Sequence, residues 1–211
     1  MLELYLIRHG ESMNNKYNDG VVGGISKDTD LTEDGIKQAE NLGKRLREEE
    51  CKFDKVFAST AVRASKTYDI SARVSGYTSK EVIRTDKLLE VDKGEFVGQK
   101  REDVTEFLGR PDINPWTYAP KNGESYQMAA KRTYRYLKEN LDGFNYNGKV
   151  AVYAHGHLFR TLLKKIMDKS DNPTDWREIN KIPIDNTSIT HIQYDNGKWK
   201  VEKINDTKHL R

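Results

Sequence analysis

Histidine stands directly before glycine at two places in the 211-residue chain, Arg8-His9-Gly10 and Ala154-His155-Gly156. Each follows an apolar run of strand length, Leu4-Tyr5-Leu6-Ile7 and Val150-Ala151-Val152-Tyr153. Together with Arg63 and Glu90 they make an anion site with acid–base capacity. Arginine captures phosphate oxygens through two parallel N–H groups and stays charged at any working pH. A neutral imidazole is able to attack phosphorus, and a carboxylic acid is able to protonate a departing alkoxide. The two histidines have no cysteine or carboxylate neighbours at ligand spacing, and one cysteine, Cys51, cannot form a thiol cluster, so no metal site is expected.

Taken singly, each of these residues has a plainer explanation. A histidine at a strand end is usually structural, an arginine like Arg63 decorates a helix surface, and an acid like Glu90 sits solvated in a loop. What favours chemistry is their placement. Residues 2–7 form a strand ending at Arg8-His9, and Gly10 permits a sharp turn. A polar, glycine-rich loop covers residues 14–30. Thr32 is suited to cap a helix whose first turn holds Glu33 and Asp34, with Ile36, Ala39, Leu42 and Leu46 on its buried face. A second strand, 53–58, closes at Ser59-Thr60, which can start the next helix, and a weaker one follows at 80–85. Residues 101–108 read as a short helix. The stretch 110–123 carries Pro111, Pro115 and Pro120 and reads as an irregular surface excursion. A long helix then places Met128, Ala129, Tyr134, Leu137 and Leu141 on or near one face. Residues 149–154 read as a buried strand ending at His155-Gly156-His157, and a further helix runs through Leu162 and Ile166. Asp195-Asn196-Gly197 between alternating segments signals a hairpin.

This order predicts an α/β fold, a three-layer α/β/α arrangement with a mostly parallel central sheet and a C-terminal β-hairpin. Residues 1–211 are expected to form a single domain. Ligands in such sheets bind beyond the carboxyl ends of the strands. Arg8-His9, the segment from Ser59 to Arg63, and His155-Gly156 all fall at such ends.

The strings themselves resemble a known family. Leu6-Ile7-Arg8-His9-Gly10-Glu11-Ser12 looks like the signature of the histidine phosphatase superfamily, in its phosphoglycerate-mutase-like branch. The resemblance continues through Asn15, Leu31-Thr32-Glu33-Asp34-Gly35, Ser59-Thr60-Ala61-Val62-Arg63, Leu89-Glu90 and Ala154-His155-Gly156-His157. It reaches the end of the chain through Asn186-Thr187-Ser188 and Asn205-Asp206-Thr207. The resemblance implies that His9 is a nucleophile that becomes phosphohistidine. Arg8, Arg63 and His155 would then grip the phosphoryl oxygens, Asn15 would add a neutral hydrogen bond, and Glu90 would donate and later accept the proton. Gly156 and His157 fall in the same segment, where His157 offers either its side chain or only its backbone N–H.

Within that family the sequence leans toward hydrolysis of a small phosphomonoester by a metal-independent phosphatase with no cofactor. Mutases usually carry a longer insertion after the general acid, with an adjacent arginine pair for the substrate carboxylate. Here the span 98–123 is short and Arg110 has no arginine neighbour, although Arg101 keeps a cofactor-dependent phosphoglycerate mutase in view. A non-catalytic phospho-ligand-binding module is the alternative from a different class, and loss of the nucleophile or acid would mark it. Neither is lost.

Composition narrows the partners. Charged residues make up 33% of the chain and hydrophobic ones 36%, with 36 Lys+Arg against 33 Asp+Glu. The basic residues are interleaved with acids, as in Lys44-Arg45-Leu46-Arg47-Glu48-Glu49, so no nucleic-acid partner is expected. No apolar run approaches membrane-spanning length, which predicts a cytoplasmic protein with no membrane partner. A homodimer is left open.

Overall fold

The computed structural model describes residues 1–17, 20–142, 147–169 and 176–211. In chain order the main elements are β1 (Leu2–Arg8), α1 (Met13–Lys16), α2 (Glu33–Glu48), β2 (Lys55–Ser59), α3 (Val62–Ser75) and β3 (Glu81–Thr85). They continue with α4 (Arg101–Leu108), α5 (Tyr126–Leu141), β4 (Lys149–Ala154), α6 (Gly156–Asp168), β5 (Ile189–Asp195) and β6 (Lys198–Asp206). The strands form one sheet in the order β3-β2-β4-β1-β5-β6. Its first four members run parallel, and β5 and β6 are added antiparallel. The α/β class, the parallel centre and the terminal hairpin match the sequence expectation.

The pleat explains the layers. Successive side chains on a strand point to opposite faces. On β4, Val150, Val152 and Ala154 join a core with Leu137, Leu141, Leu158 and Leu162 of α5 and α6. Ala151 and Tyr153 of the same strand pack instead with Leu42, Leu46, Tyr68 and Ala72 of α2 and α3. Leu4 and Leu6 of β1 fall in the first core and Ile7 in the second. Strands buried on both faces read as continuous apolar runs, as 150–154 does.

Local chemistry sets the element ends. Thr32 caps α2 by accepting the Gly35 N–H, and Ser125 caps α5 by accepting that of Met128. In the hairpin turn Asn196 and Gly197 both take positive φ, 47° and 79°, the conformation Asn-Gly turns favour.

Ser59-Thr60 directly precedes α3, whose cap position is Ala61 with no side-chain bond, and the Ser59 hydroxyl accepts the Ala61 N–H at 3.3 Å. Two expectations need correction. Met128 is exposed, while Ala129, Leu137 and Leu141 are buried as expected and are joined by Ala130 and Thr133. The proline-rich excursion is irregular, yet it is pinned by Trp116, 1% exposed and packed with Ala130 and Ile179.

Candidate active site

β1 and β4 pair in register up to Arg8 opposite Ala154, so the next residues, His9 and His155, emerge side by side. Their rings meet edge-on with centroids 5.2 Å apart. The chain leaves β1 toward α2 on one face and β4 toward α6 on the other. That divergence opens a crevice at the strand ends, the usual ligand position in such sheets.

His9 is buried and held from several sides. Its Nδ1 lies 2.7 Å from the Gly10 carbonyl. A carbonyl only accepts, so Nδ1 carries the proton and Nε2 keeps the lone pair. The His9 carbonyl accepts Asn186 Nδ2 at 2.9 Å and the Thr187 N–H at 3.3 Å. Gly10 N–H donates to Thr67 Oγ1, whose hydroxyl donates to the Arg63 carbonyl. The same hydroxyl thus registers the His9 loop against α3. A Cβ on Gly10 would lie 2.5 Å from the Gly35 carbonyl oxygen, and one on Gly35 would lie 2.0 Å from that of Glu11. Backbone therefore packs on backbone where α2 begins.

Two guanidinium groups flank the imidazole. Arg63 Nε donates to His9 Nε2 at 3.3 Å, and its Nη1 donates to the Ser26 carbonyl at 2.6 Å. Arg8 Nη1 donates to the Ile184 carbonyl at 2.7 Å, while its buried Nε has no partner. A Cβ on Gly156 would come within 3.3 Å of that Nε, so glycine there keeps side-chain bulk off the guanidinium. His155 is fully buried. Its Nε2 lies 2.9 Å from Ser59 Oγ, and its Nδ1 has no partner among the described residues. Burial, with Arg8 and Arg63 nearby, pushes the pKa of His9 well below the usual imidazole value. Burial followed by Arg63 does the same to His155. Both rings are neutral at neutral pH, in a site with positive charge and orphaned buried polar atoms. Such a site is built for an anion.

Glu90 is held by backbone. Oε1 accepts the N–H groups of Val91 at 2.9 Å and Leu158 at 2.8 Å, and Oε2 accepts that of His157 at 3.1 Å. Burial alone would raise its pKa, but these N–H donors and Lys93 hold it below the usual carboxylate range. His157 thus contributes its backbone N–H to Glu90. Its ring stacks on Tyr126 with centroids 6.3 Å apart, and it also lines the cavity. Asn15 Oδ1 accepts from the Ser12 N–H and hydroxyl and from Asn186 Nδ2, leaving the Asn15 amide N–H groups for the pocket.

Arg8, His9, Asn15, Arg63, Glu90 and His157 line one cavity of about 680 Å³, whereas His155, Ser59 and Asn186 stand behind that lining. The glycine-rich loop supplies Val22, Gly23 and Gly24 to its rim. Arg101 lines it too, with Nη2 donating to the Val21 carbonyl. Arg110 does not and lies over the Phe107 ring.

Several contributors escaped the sequence. Ser59 was taken for a helix start, and Asn186 had no assigned role. Arg132 of α5 donates to the carbonyls of Lys87 and Leu89 and pairs with Glu124, whose Oε1 accepts the Asp92 N–H. Arg132 and Glu124 thereby brace the loop that carries Glu90. The Glu124 signal was present in the Gly123-Glu124-Ser125 string but carried no chemistry of its own.

A neutral imidazole whose Nε2 lone pair accepts from Arg63, two guanidinium groups and a carboxylate gather at one strand-end crevice, an arrangement suited to holding a phosphoryl group. The sequence profile of the histidine phosphatase superfamily (branch 1) matches residues 4–207, and the chain belongs to that superfamily. A phosphoglycerate mutase of Schizosaccharomyces pombe is 34% identical over 209 residues, covering 96% of this chain and 95% of that protein. The structure of Bacillus stearothermophilus YhfR superposes with a TM-score of 0.81 at 26% identity, over the full length of both chains. A mutant phosphoserine phosphatase of Entamoeba histolytica, solved with phosphoserine, gives 0.79 at 25% identity, again over both full lengths. Proteins named for hydrolysis and for mutase activity thus both stand among its relatives.

Proposed function

We propose that this protein is a phosphatase that hydrolyses a phosphomonoester in two steps through phosphohistidine at His9. The observation that carries the proposal is the Nδ1-protonated His9, neutral between Arg8 and Arg63, with its Nε2 lone pair unprotonated and turned to Arg63 Nε. As the phosphate enters, Arg63 Nε transfers its hydrogen bond from His9 Nε2 to a phosphoryl oxygen, freeing the lone pair. Nε2 then bonds to phosphorus while the P–O bond to the alcohol breaks. Arg8, Arg63, His155 Nδ1–H and the Asn15 amide take up the charge on the equatorial oxygens, usually the largest source of rate enhancement in such sites. The leaving oxygen takes its proton from Glu90. In the second step Glu90 accepts a proton from water, the oxygen attacks phosphorus, and the P–N bond breaks to release inorganic phosphate. The free site holds Glu90 ionised, so it gains its proton as the phosphate dianion arrives, since a nearby like charge disfavours the carboxylate.

A mutase is the second reading, favoured by the S. pombe relative and by Lys93, Arg101 and Arg160 at the cavity wall. The short 98–123 span does not separate the two, because a protein named a mutase aligns over nearly its whole length with this chain.

Acid-labile, base-stable phosphate should be trapped on the parent protein and not on His9→Ala. Equal labelling of both would refute the nucleophile. If the isolated phosphoenzyme persists in water but discharges when phosphoglycerate is added, the mutase reading is correct.

A further inference from the structure

The cavity is larger than phosphoryl chemistry requires, and its two halves differ in kind. At about 680 Å³ it falls in the range that encloses a drug-sized molecule. Its inner half holds Arg8, His9, Arg63 and Glu90. The lining also takes in Val22, Phe96, Val104, Leu108 and Tyr118, which lie on the loop after α1 and on the 96–118 segment rather than at the strand ends, and this apolar part is here called the outer half. These belong to a satellite cluster separate from the two cores that sandwich the sheet.

The outer wall is braced before any ligand arrives. Phe96 meets Phe107 edge-on with centroids 5.7 Å apart and stacks on Tyr118 at 6.1 Å, and Phe107 meets Tyr118 at 5.4 Å. Val104 and Leu108, four apart on α4, lie on one helix face. Polar groups around this wall are largely committed to the protein itself. Thr105 Oγ1 donates to the Arg101 carbonyl, Arg101 Nη2 donates to that of Val21, and Lys93 Nζ bonds the Tyr126 hydroxyl. A small phospho-acid would fill the inner half and leave water against the aromatic and aliphatic side chains.

We propose that the outer half is a subsite for an apolar leaving group, so that the preferred substrates are phosphomonoesters of alcohols bearing an alkyl chain or a ring. This rests on the phosphatase assignment for turnover, but the subsite itself is measurable by binding alone. The test is the calorimetric Kd of methyl-, butyl-, hexyl- and octylphosphonate, none of which can be hydrolysed.

Binding is expected to tighten by roughly two- to fourfold per methylene until the chain outgrows the chamber. The heat-capacity change of binding should grow more negative along the series, the mark of apolar burial. In Leu108→Asn the hexyl-to-methyl ratio of Kd should move toward one. Val104→Thr, nearly the same size but polar, should do likewise and guards against a Leu108 variant that does not fold. A flat series in the parent protein, or an unchanged ratio in both folded variants, overturns the subsite. Phosphate release from ethyl and hexyl phosphate is read in parallel. No release with a rising phosphonate series sinks the phosphatase assignment and leaves the subsite standing, and release with a flat series does the reverse.

Discussion

The Ser59 hydroxyl oxygen lies 2.9 Å from Nε2 of His155, joining the carboxyl ends of two adjacent parallel strands. Ser59 Oγ already accepts the Ala61 N–H at 3.3 Å. We expect Ser59 to donate its own proton to His155 Nε2, which leaves the ring proton on Nδ1, the buried nitrogen without a partner among the described residues. Ser59 would then be a positioning residue for the tautomer that an anion needs. In Ser59→Ala that preference is lost. Turnover is expected to fall by roughly tenfold or more, on the scale of one buried hydrogen bond, with little change in KM. Nitrogen chemical shifts of His155 report the change directly: an unaltered Nδ1–H tautomer in the variant would contradict the role.

Binding of inorganic phosphate should draw a proton onto Glu90, whose carboxylate is ionised in the free site. Calorimetry in two buffers of different ionisation enthalpy should register proton uptake near neutral pH, and Glu90→Gln should abolish it. The same variant should slow alkyl phosphates by about 10²- to 10⁴-fold and p-nitrophenyl phosphate far less, because that phenol leaves without help. Equal losses on both would make Glu90 a positioning group only.

Arg132→Met removes the brace under the Glu90 loop without touching the phosphoryl end. It should reproduce the leaving-group dependence of Glu90→Gln in weaker form. A loss that is the same for alkyl and p-nitrophenyl esters would show that the brace serves general stability instead.

Acid should destabilise the protein well above the carboxylate range. His9 and His155 are held far below their usual pKa by burial and nearby arginines, while burial and Lys93 bring His157 down to about 3. Unfolding lets each take up a proton near its ordinary value of about 6.5. The stability of the neutral, folded form is therefore complete above about pH 7 and declines as pH falls below about 6.5. Each histidine contributes a slope of up to about 1.4 kcal/mol per pH unit until its folded pKa is reached. Thermal midpoints followed from pH 8 to about pH 5 should fall steadily, and His157→Gln should flatten the profile. A midpoint that is constant over that range would refute the buried neutral histidines.

Arg8, Arg63 and His155 are expected to supply the stabilisation at the phosphoryl group unaided, so turnover should survive a strong chelator. Activity that vanishes with chelator and returns with a divalent ion would contradict that.

The sheet was legible because its central strands are apolar runs closed by polar residues, as 150–154 is closed by His155. The histidines and Arg8 could be located for the same reason: a strand end fixes position without any partner. What stayed hidden depends on contacts far apart in the chain. Arg8 is steadied by the Ile184 carbonyl and the His9 loop by Asn186, and neither partner shows a local pattern. Ser59 was placed at the helix start, where it does accept the Ala61 N–H, but its contact with His155 was hidden because β4 brings that histidine within reach from far along the chain. Met128 stands at the edge of a face that Ala129, Leu137 and Leu141 fill, and an apolar side chain at such an edge carries no sign in the sequence of whether anything covers it.

The facing glycines at positions 10 and 35 bear on how such a site tolerates random change. Each would press its Cβ into main chain rather than into a side chain, so no second substitution at a neighbouring side chain makes room. A saturation library should find both positions closed even to alanine, alone or together. Directed evolution toward new ligands therefore has to work on the outer wall and leave the seat of His9 untouched.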